Sequence, residues 1–157
     1  MRIGQGIDAH RLVAGRPLRL GGVEIPHPRG LEGHSDGDVL LHAIASALLG
    51  ALGEGDLGRH FPSSDPALAG IASGEIVARV MAQVRARGYA LGNVDATVVA
   101  QEPRLAPHLD TLRGALADLL GVDSGRVNVK VTSTDHLGAI GRGEGIAALA
   151  VVLLEAA

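Results

Sequence analysis

Asp8 and His10 stand two residues apart in a stretch where side-chain character alternates, so on a β-strand both leave the same face. Asp38 and His42 stand four apart at the head of an apolar-periodic run, which makes them neighbours on a helix. If that strand and helix meet, carboxylate and imidazole groups converge on one point. Two imidazoles and a carboxylate with an open fourth position describe a catalytic Zn²⁺ site better than a closed structural one. Each fragment alone has a plainer explanation. Asp8-x-His10 is also a polar pair on a wet strand, His42 also a partly buried histidine, and Asp38 first of all a helix cap. Their combination favours the metal.

Three further clusters carry polar chemistry. His34-Ser35 precedes a helix start, where free N–H groups and the helix dipole attract an anion; the alternative is a cap beside a surface histidine. Gly55-Asp56-Leu57-Gly58 and Phe61-Pro62-Ser63-Ser64-Asp65 suit a polyol ligand, or form a solvated loop. Thr132-Ser133-Thr134-Asp135 offers hydroxyls to phosphate and a carboxylate to Mg²⁺, or is an ST-type turn leaving a strand. In Gly141-Arg142-Gly143-Glu144-Gly145, Arg142 either faces phosphate or pairs with Glu144 across a tight turn.

The elements that must position these groups follow from periodicity. Residues 2–10 alternate, with Ile3, Ile7 and Ala9 on one face and Asp8 and His10 on the other. Residues 18–25 read as a strand interrupted by Gly21-Gly22, and Pro26, Pro28 and Gly30 mark a loop. A helix runs from Asp38 to Gly50 or Gly53, a loop covers 54–70, and Ser73 caps a second helix that closes at Gly88. A strand at 92–101, a helix from Pro107 to Gly121, a strand at 126–133, a glycine-rich turn at 138–145 and an apolar strand at 146–154 complete the chain. The expected order is β-β-α-α-β-α-β-β: one α+β domain over 1–157, a mixed sheet with helices layered on one face. The last strand is apolar on both sides and needs cover on both, so a second copy is expected on the free face.

Composition narrows the class. The chain has 157 residues, 46% of them hydrophobic but only 1% aromatic, so Ala, Val, Leu and Ile must build the core. A net charge of −3 provides no general attraction to nucleic acid. No cysteine is present, which removes disulfides, thiolate ligands and a cysteine nucleophile. No apolar run is long enough for a membrane span and no signal-peptide pattern opens the chain, so a cytoplasmic location is expected. Gly4-Gln5-Gly6-Ile7-Asp8-Ala9 fits a G-x-G-x-x-A string but lies within a strand with no helix after it, so it is no dinucleotide fingerprint.

Taken in order, Gly6-x-Asp8-x-His10, Gly33-His34-Ser35-Asp36-Gly37-Asp38-x-x-x-His42, Gly55-Asp56-x-Gly58, Phe61-Pro62, Asn93-Val94-Asp95, Val127-Asn128-Val129-Lys130 and Gly141-Arg142-Gly143-Glu144-Gly145 resemble the 2-C-methyl-D-erythritol 2,4-cyclodiphosphate synthases of non-mevalonate isoprenoid biosynthesis. The resemblance runs from Met1 to about Leu154. It implies a homotrimer around a central axis, active sites between subunits, and a nucleotide substrate, 4-diphosphocytidyl-2-C-methyl-D-erythritol 2-phosphate, cyclised with release of CMP. It implies Zn²⁺ or another divalent cation on Asp8, His10 and His42, with Asp8 and His10 also against the substrate. His34 and Ser133 are implied to stabilise the transition state, and Ser35 and Thr132, Ser133, Thr134 and Asp135 to grip the diphosphate. Asp56, Leu57, Gly58, Phe61, Pro62, Ser63, Ser64 and Asp65 would enclose the methylerythritol. Ala100, Gln101, Glu102, Pro103, Arg104, Leu105 and Ala106 would form the cytosine pocket, and Arg142 would reach phosphate.

Several positions depart from that pattern. Asp135 stands where the family has a glutamate for a second Mg²⁺ or Mn²⁺, and its shorter side chain reaches that ion only through water or a shift of the strand. Ser133 replaces threonine, Ser63 replaces aspartate, and Ile7 and Ala139 replace phenylalanines near the trimer axis. Two rival readings keep the same metal or assembly: a metal-dependent phosphohydrolase, and a non-catalytic trimeric module that binds a nucleotide or an isoprenoid. Neither nucleic acid nor a membrane is an expected partner.

Overall fold

A computed structural model describes all residues, Met1–Ala157. In chain order the elements are β1 (Arg2–Ala14), β2 (Leu18–Leu20), β3 (Val23–Ile25), β4 (Arg29–Leu31), α1 (Val39–Leu52), α2 (Leu57–His60), α3 (Ser73–Ala86), β5 (Tyr89–Val99), α4 (Leu109–Leu120), β6 (Val127–Thr132), α5 (Gly138–Gly141) and β7 (Gly145–Ala156). The main sheet has five strands in the order β4-β1-β7-β5-β6, while β2 and β3 form a separate hairpin. Only β5 and β6 run parallel; β1–β4, β1–β7 and β5–β7 are antiparallel, so the sheet is mixed and the fold α+β.

The expected order lacked two strands and two four-residue helices. Gly21 and Gly22 both have positive φ, 61° and 79°, and close a two-residue hairpin turn, which splits the expected second strand into β2 and β3. The Pro26–Gly30 loop ends in β4, where Gly30 pairs with Val13. Such three-residue strands are too short to show a period of two, so only their tertiary pairing reveals them. Pro107 lies in a 3-10 turn, Ala106–His108, that leads into α4. Ser73 does not cap α3: Ala72 holds that position, and Ser73 is the first helical residue, fully buried.

Register explains which face is covered. Val152, Ala150, Ala148 and Ile146 on β7 lie opposite Gly4, Gly6, Asp8 and His10 on β1, and Val94, Ala96 and Val98 continue the row on β5. This row faces α1, whose residues are nearly all buried. Helix and strand approach through small residues. A Cβ on Gly4 would lie 1.9 Å from the Ala47 carbonyl oxygen, and one on Gly6 2.0 Å from that of Ala43. Gly4 meets α1 at Ala51 and Ala47 and Gly6 meets it at Ala47 and Ala43, so at Asp8 the strand has reached His42. Backbone on both sides leaves no flexible side chain to yield. Gly6→Ala is therefore expected to destabilise the fold by at least the ~1–3 kcal/mol typical of overpacking, read as a lowered urea midpoint.

The opposite face of the sheet has no helix. Ile3 and Ile7 are 69% and 64% exposed there and Val151 45%, in a band completed by Leu149 and Leu153. Asp95, Asn128 and Lys130 flank this apolar band. Asp95 accepts hydrogen bonds from both neighbours, and the Lys130 ammonium holds its carboxyl below the usual carboxylate range.

Candidate metal centre

Asp38 sets the start of α1. Its buried carboxylate accepts N–H groups from Leu41 at 3.1 Å, Gly21 at 3.0 Å and Gly22 at 2.7 Å, tying the helix N-terminus to the β2–β3 turn. Burial pushes its carboxyl up, against the pull of those three donors. With its oxygens so engaged, Asp38 is a cap and does not join the cluster of Asp8, His10 and His42.

That cluster assembles as the spacing suggests. Asp8 Oδ2 lies 2.7 Å from His10 Nε2 and 3.0 Å from His42 Nδ1, and the two ring nitrogens are 3.2 Å apart. Ligands at Zn²⁺ bond lengths of about 2.0–2.1 Å in a tetrahedron sit about 3.3 Å from one another, so a modest expansion admits the ion. One carboxylate and two imidazoles form a borderline donor set suited to a divalent transition metal. It is the only cluster of three such ligands in the chain; Asp135 lies outside it.

The three groups share charge. Burial alone would raise the Asp8 carboxyl, but hydrogen bonds to His10 and His42, and their charges, outweigh it and hold it well below the usual carboxylate range. The hydrogen bond to Asp8 raises His10 above its ordinary 6.5, against the effect of burial. The signs predict opposite pH trends. A metal must displace the His10 proton, so metal affinity is expected to rise with pH through a window beginning above 6.5. Metal-free stability gained from His10 is full below 6.5 and fades as pH passes its higher folded value, whereas that from Asp8 is lost on acidification below 3.8. Chelator competition and denaturant melts across pH check both; an affinity that does not rise with pH would remove His10 from the ligand set.

Around the cluster, His34, Ser35, Leu57, Phe61, Ser63, Leu68, Ile71 and Ile76 line one cavity together with His10 and His42. Arg16 clamps the loop that carries His34, donating to the carbonyl oxygens of Gly33 at 3.0 Å and Ser35 at 2.9 Å. His34 itself is exposed. From the expected polyol segment, Asp56 and Asp65 cap short helical turns through the N–H groups of Arg59 and Ala67; Gly58, Pro62 and Ser64 do not line the cavity.

A second cavity is lined by Ala100, Gln101, Pro103, Arg104, Leu105, Ala106, Val131, Thr132 and Ser133, so most of the expected base-binding stretch meets the end of β6. Glu102 is not among its lining residues and pairs with Arg29 instead. The adjoining turn is unusual: Asp135 and His136 have φ of 50° and 63°, and Gln101 Oε1 accepts the His136 N–H at 2.9 Å. Arg142 pairs with Glu144, the plainer of its two readings, within a single chain. Ser133 and His34 do not meet within one chain. They line different cavities, His34 the one beside the cluster and Ser133 the one at the end of β6. Arg16 and Gln101 as organisers escaped the sequence, because neither sits in a recognisable motif and each acts on residues far along the chain.

Residues 1–155 match the sequence profile of the YgbB family. The chain is 59% identical over 155 residues to the 2-C-methyl-D-erythritol 2,4-cyclodiphosphate synthase of Geotalea uraniireducens, covering 99% of each. Its fold superposes on a CDP-bound 2C-methyl-D-erythritol-2,4-cyclodiphosphate synthase with a TM-score of 0.91 at 40% identity, over 98% of this chain and 100% of that one. On the bifunctional IspDF of Campylobacter jejuni the TM-score is 0.95 at 41% identity, over 99% of this chain and 42% of that one.

Proposed function

The chain belongs to the YgbB family, and from that premise we propose that it cyclises 4-diphosphocytidyl-2-C-methyl-D-erythritol 2-phosphate to 2-C-methyl-D-erythritol 2,4-cyclodiphosphate with release of CMP. The observation that carries this reading is the Asp8-His10-His42 cluster opening into a cavity lined by His34 and Ser35, in a chain 59% identical to such a synthase. An oxygen of the 2-phosphate attacks the β-phosphorus. The bond from that phosphorus to the oxygen bridging to the α-phosphate breaks, and CMP leaves with that oxygen. No protein nucleophile is needed; the work is positioning and charge neutralisation.

Asp8, His10 and His42 would hold Zn²⁺, which when bound supplies a Lewis acid for a β-phosphate oxygen. His34 and Ser35 meet the phosphates at the head of α1. The cavity wall of Leu57, Phe61 and Ser63 takes the methylerythritol and excludes water. Residues 100–106 take the cytosine, with Thr132, Ser133 and Thr134 on the diphosphate. Asp135 is one exposed carboxylate with no companion ligand, so a second Mg²⁺ or Mn²⁺ would depend on the diphosphate for most of its coordination.

The active protein is a homotrimer with sites between subunits. The apolar band of Ile3, Ile7, Leu149, Val151 and Leu153 supports burial against another copy. The second support is distance: β1 and β6 stand three strand spacings apart, about 14 Å, so one chain's metal cluster and its own Ser133 lie on separate sides of the sheet. No helix is long and apolar enough to cross a membrane. The deciding assay incubates zinc-loaded protein with the substrate and follows CMP and the cyclic diphosphate together. A linear product would assign a phosphohydrolase instead, and binding without turnover a non-catalytic module.

A further inference from the structure

Beside the metal cluster, His42 is held by a second set of groups on its other ring nitrogen. Its Nε2 lies 2.9 Å from Ser73 Oγ and 3.0 Å from Ser35 Oγ. Ser73 is fully buried at the first turn of α3 and belongs to none of the groups assigned above to metal or substrate. Its partners settle the direction of its hydrogen bonds. Asp36 accepts both the Ser73 N–H, at 3.0 Å, and the Ser73 hydroxyl, and takes the Asp38 N–H at 3.1 Å as well. An ionised carboxylate only accepts, so the Ser73 hydroxyl proton points at Asp36 and a lone pair on Ser73 Oγ faces His42. Ser73 Oγ therefore accepts the His42 Nε2–H, and a metal bound at Nδ1 would leave the imidazole with that single, partnered proton. Nδ1 is the nitrogen that faces Asp8 Oδ2 and His10 Nε2.

We propose that Asp36–Ser73–His42 is a buried relay in which Ser73 is a positioning residue, setting the tautomer and ring orientation of His42 for metal binding. The relay rests on the metal reading above and deepens it. It also assigns Ser35: with the His42 proton shared toward Ser73, and Ser35 Oγ accepting from the Gly37 N–H at 3.4 Å, the Ser35 hydroxyl proton is left for an oxygen of the substrate in the adjoining cavity. The relay joins three places in the chain, namely the loop before α1, α1 itself and the start of α3. Metal affinity thus depends on a helix that contributes no ligand. Partners beyond the ligands that fix a histidine tautomer typically change metal affinity by about ten- to a hundredfold when removed.

Ser73→Ala removes the acceptor with little change of volume. Zinc affinity, measured by chelator competition, is expected to weaken by about ten- to a hundredfold. In zinc-loaded protein the ring ¹⁵N shifts of His42 are expected to report ligation through Nδ1, with an Nε2–H protected from exchange in the unmutated protein and unprotected in the variant. Asp36→Ala, which frees the Ser73 hydroxyl, should move both readouts in the same direction. A role in packing alone would lower the melting temperature of apo-Ser73→Ala and leave zinc affinity and Nε2–H protection where they were, and that result overturns the relay. Zinc ligation through Nε2 of His42 in the unmutated protein overturns it without any variant. Unmutated protein that takes up no zinc overturns the metal reading and the relay's purpose with it, a result distinct from a variant that binds zinc as the parent does.

Discussion

His42→Ala protein is expected to carry no stoichiometric zinc and to release CMP at least about a thousandfold more slowly than the parent, which is the several kcal/mol a metal contributes to a transferring phosphoryl group. The fold should survive the change. His42 lies at the edge of the buried set, 8% exposed, and α1 is held by Asp38 at its start, by Gly53 in the left-handed conformation at its end, and by contacts along β1 and β7. Removing the imidazole leaves Asp8 and His10, a two-ligand remnant without a third corner. Elemental analysis of purified protein, with CMP release measured in added zinc, separates loss of the ion from loss of its effect. Stoichiometric zinc in the variant would strike His42 from the ligand set.

His42→Ala and Ser133→Ala, each inactive alone, are expected to restore activity when co-assembled. If a site takes its metal cluster from one subunit and Ser133 from a neighbour, random mixing in equal amounts leaves roughly a quarter of the sites with both groups intact. Sites built within one chain would show no recovery, since every chain would carry one lesion. The geometry favours the first outcome, because β7 and β5 separate the strand bearing Asp8 and His10 from the strand that ends at Ser133. Val151→Asp is the companion control. A charge in the centre of the apolar band should yield a folded monomer by sedimentation, with the cluster present and turnover lost. A monomer that turns over normally would refute the shared site.

Much of the site was legible in the sequence because local spacing carries it. Asp8 and His10 share a strand face through a period of two, and His42 follows its helix cap by one turn. Asp38 showed itself as a cap before the structure added its two further donors from the β2–β3 turn. The four longer strands, β1, β5, β6 and β7, and the three long helices, α1, α3 and α4, were legible for the same reason. Ser73 was not: as a serine before an apolar-periodic run it reads as a cap, and only the approach of α3 to α1 turns it toward His42. The short pairings β2–β3 and β1–β4 were hidden because three residues are too few to show a period.

Ligand types and their presentation in pairs follow from the order of residues alone, since they depend on side-chain chemistry and on periods of two and 3.6 residues. That the pairs meet, which nitrogen of His42 faces Asp8, and that Ser133 lines a different cavity from the cluster come from the folded chain. Those facts depend on strand order and on hydrogen bonds spanning more than thirty residues, such as His42 to Ser73 and His136 to Gln101, and local spacing does not encode contacts of that range.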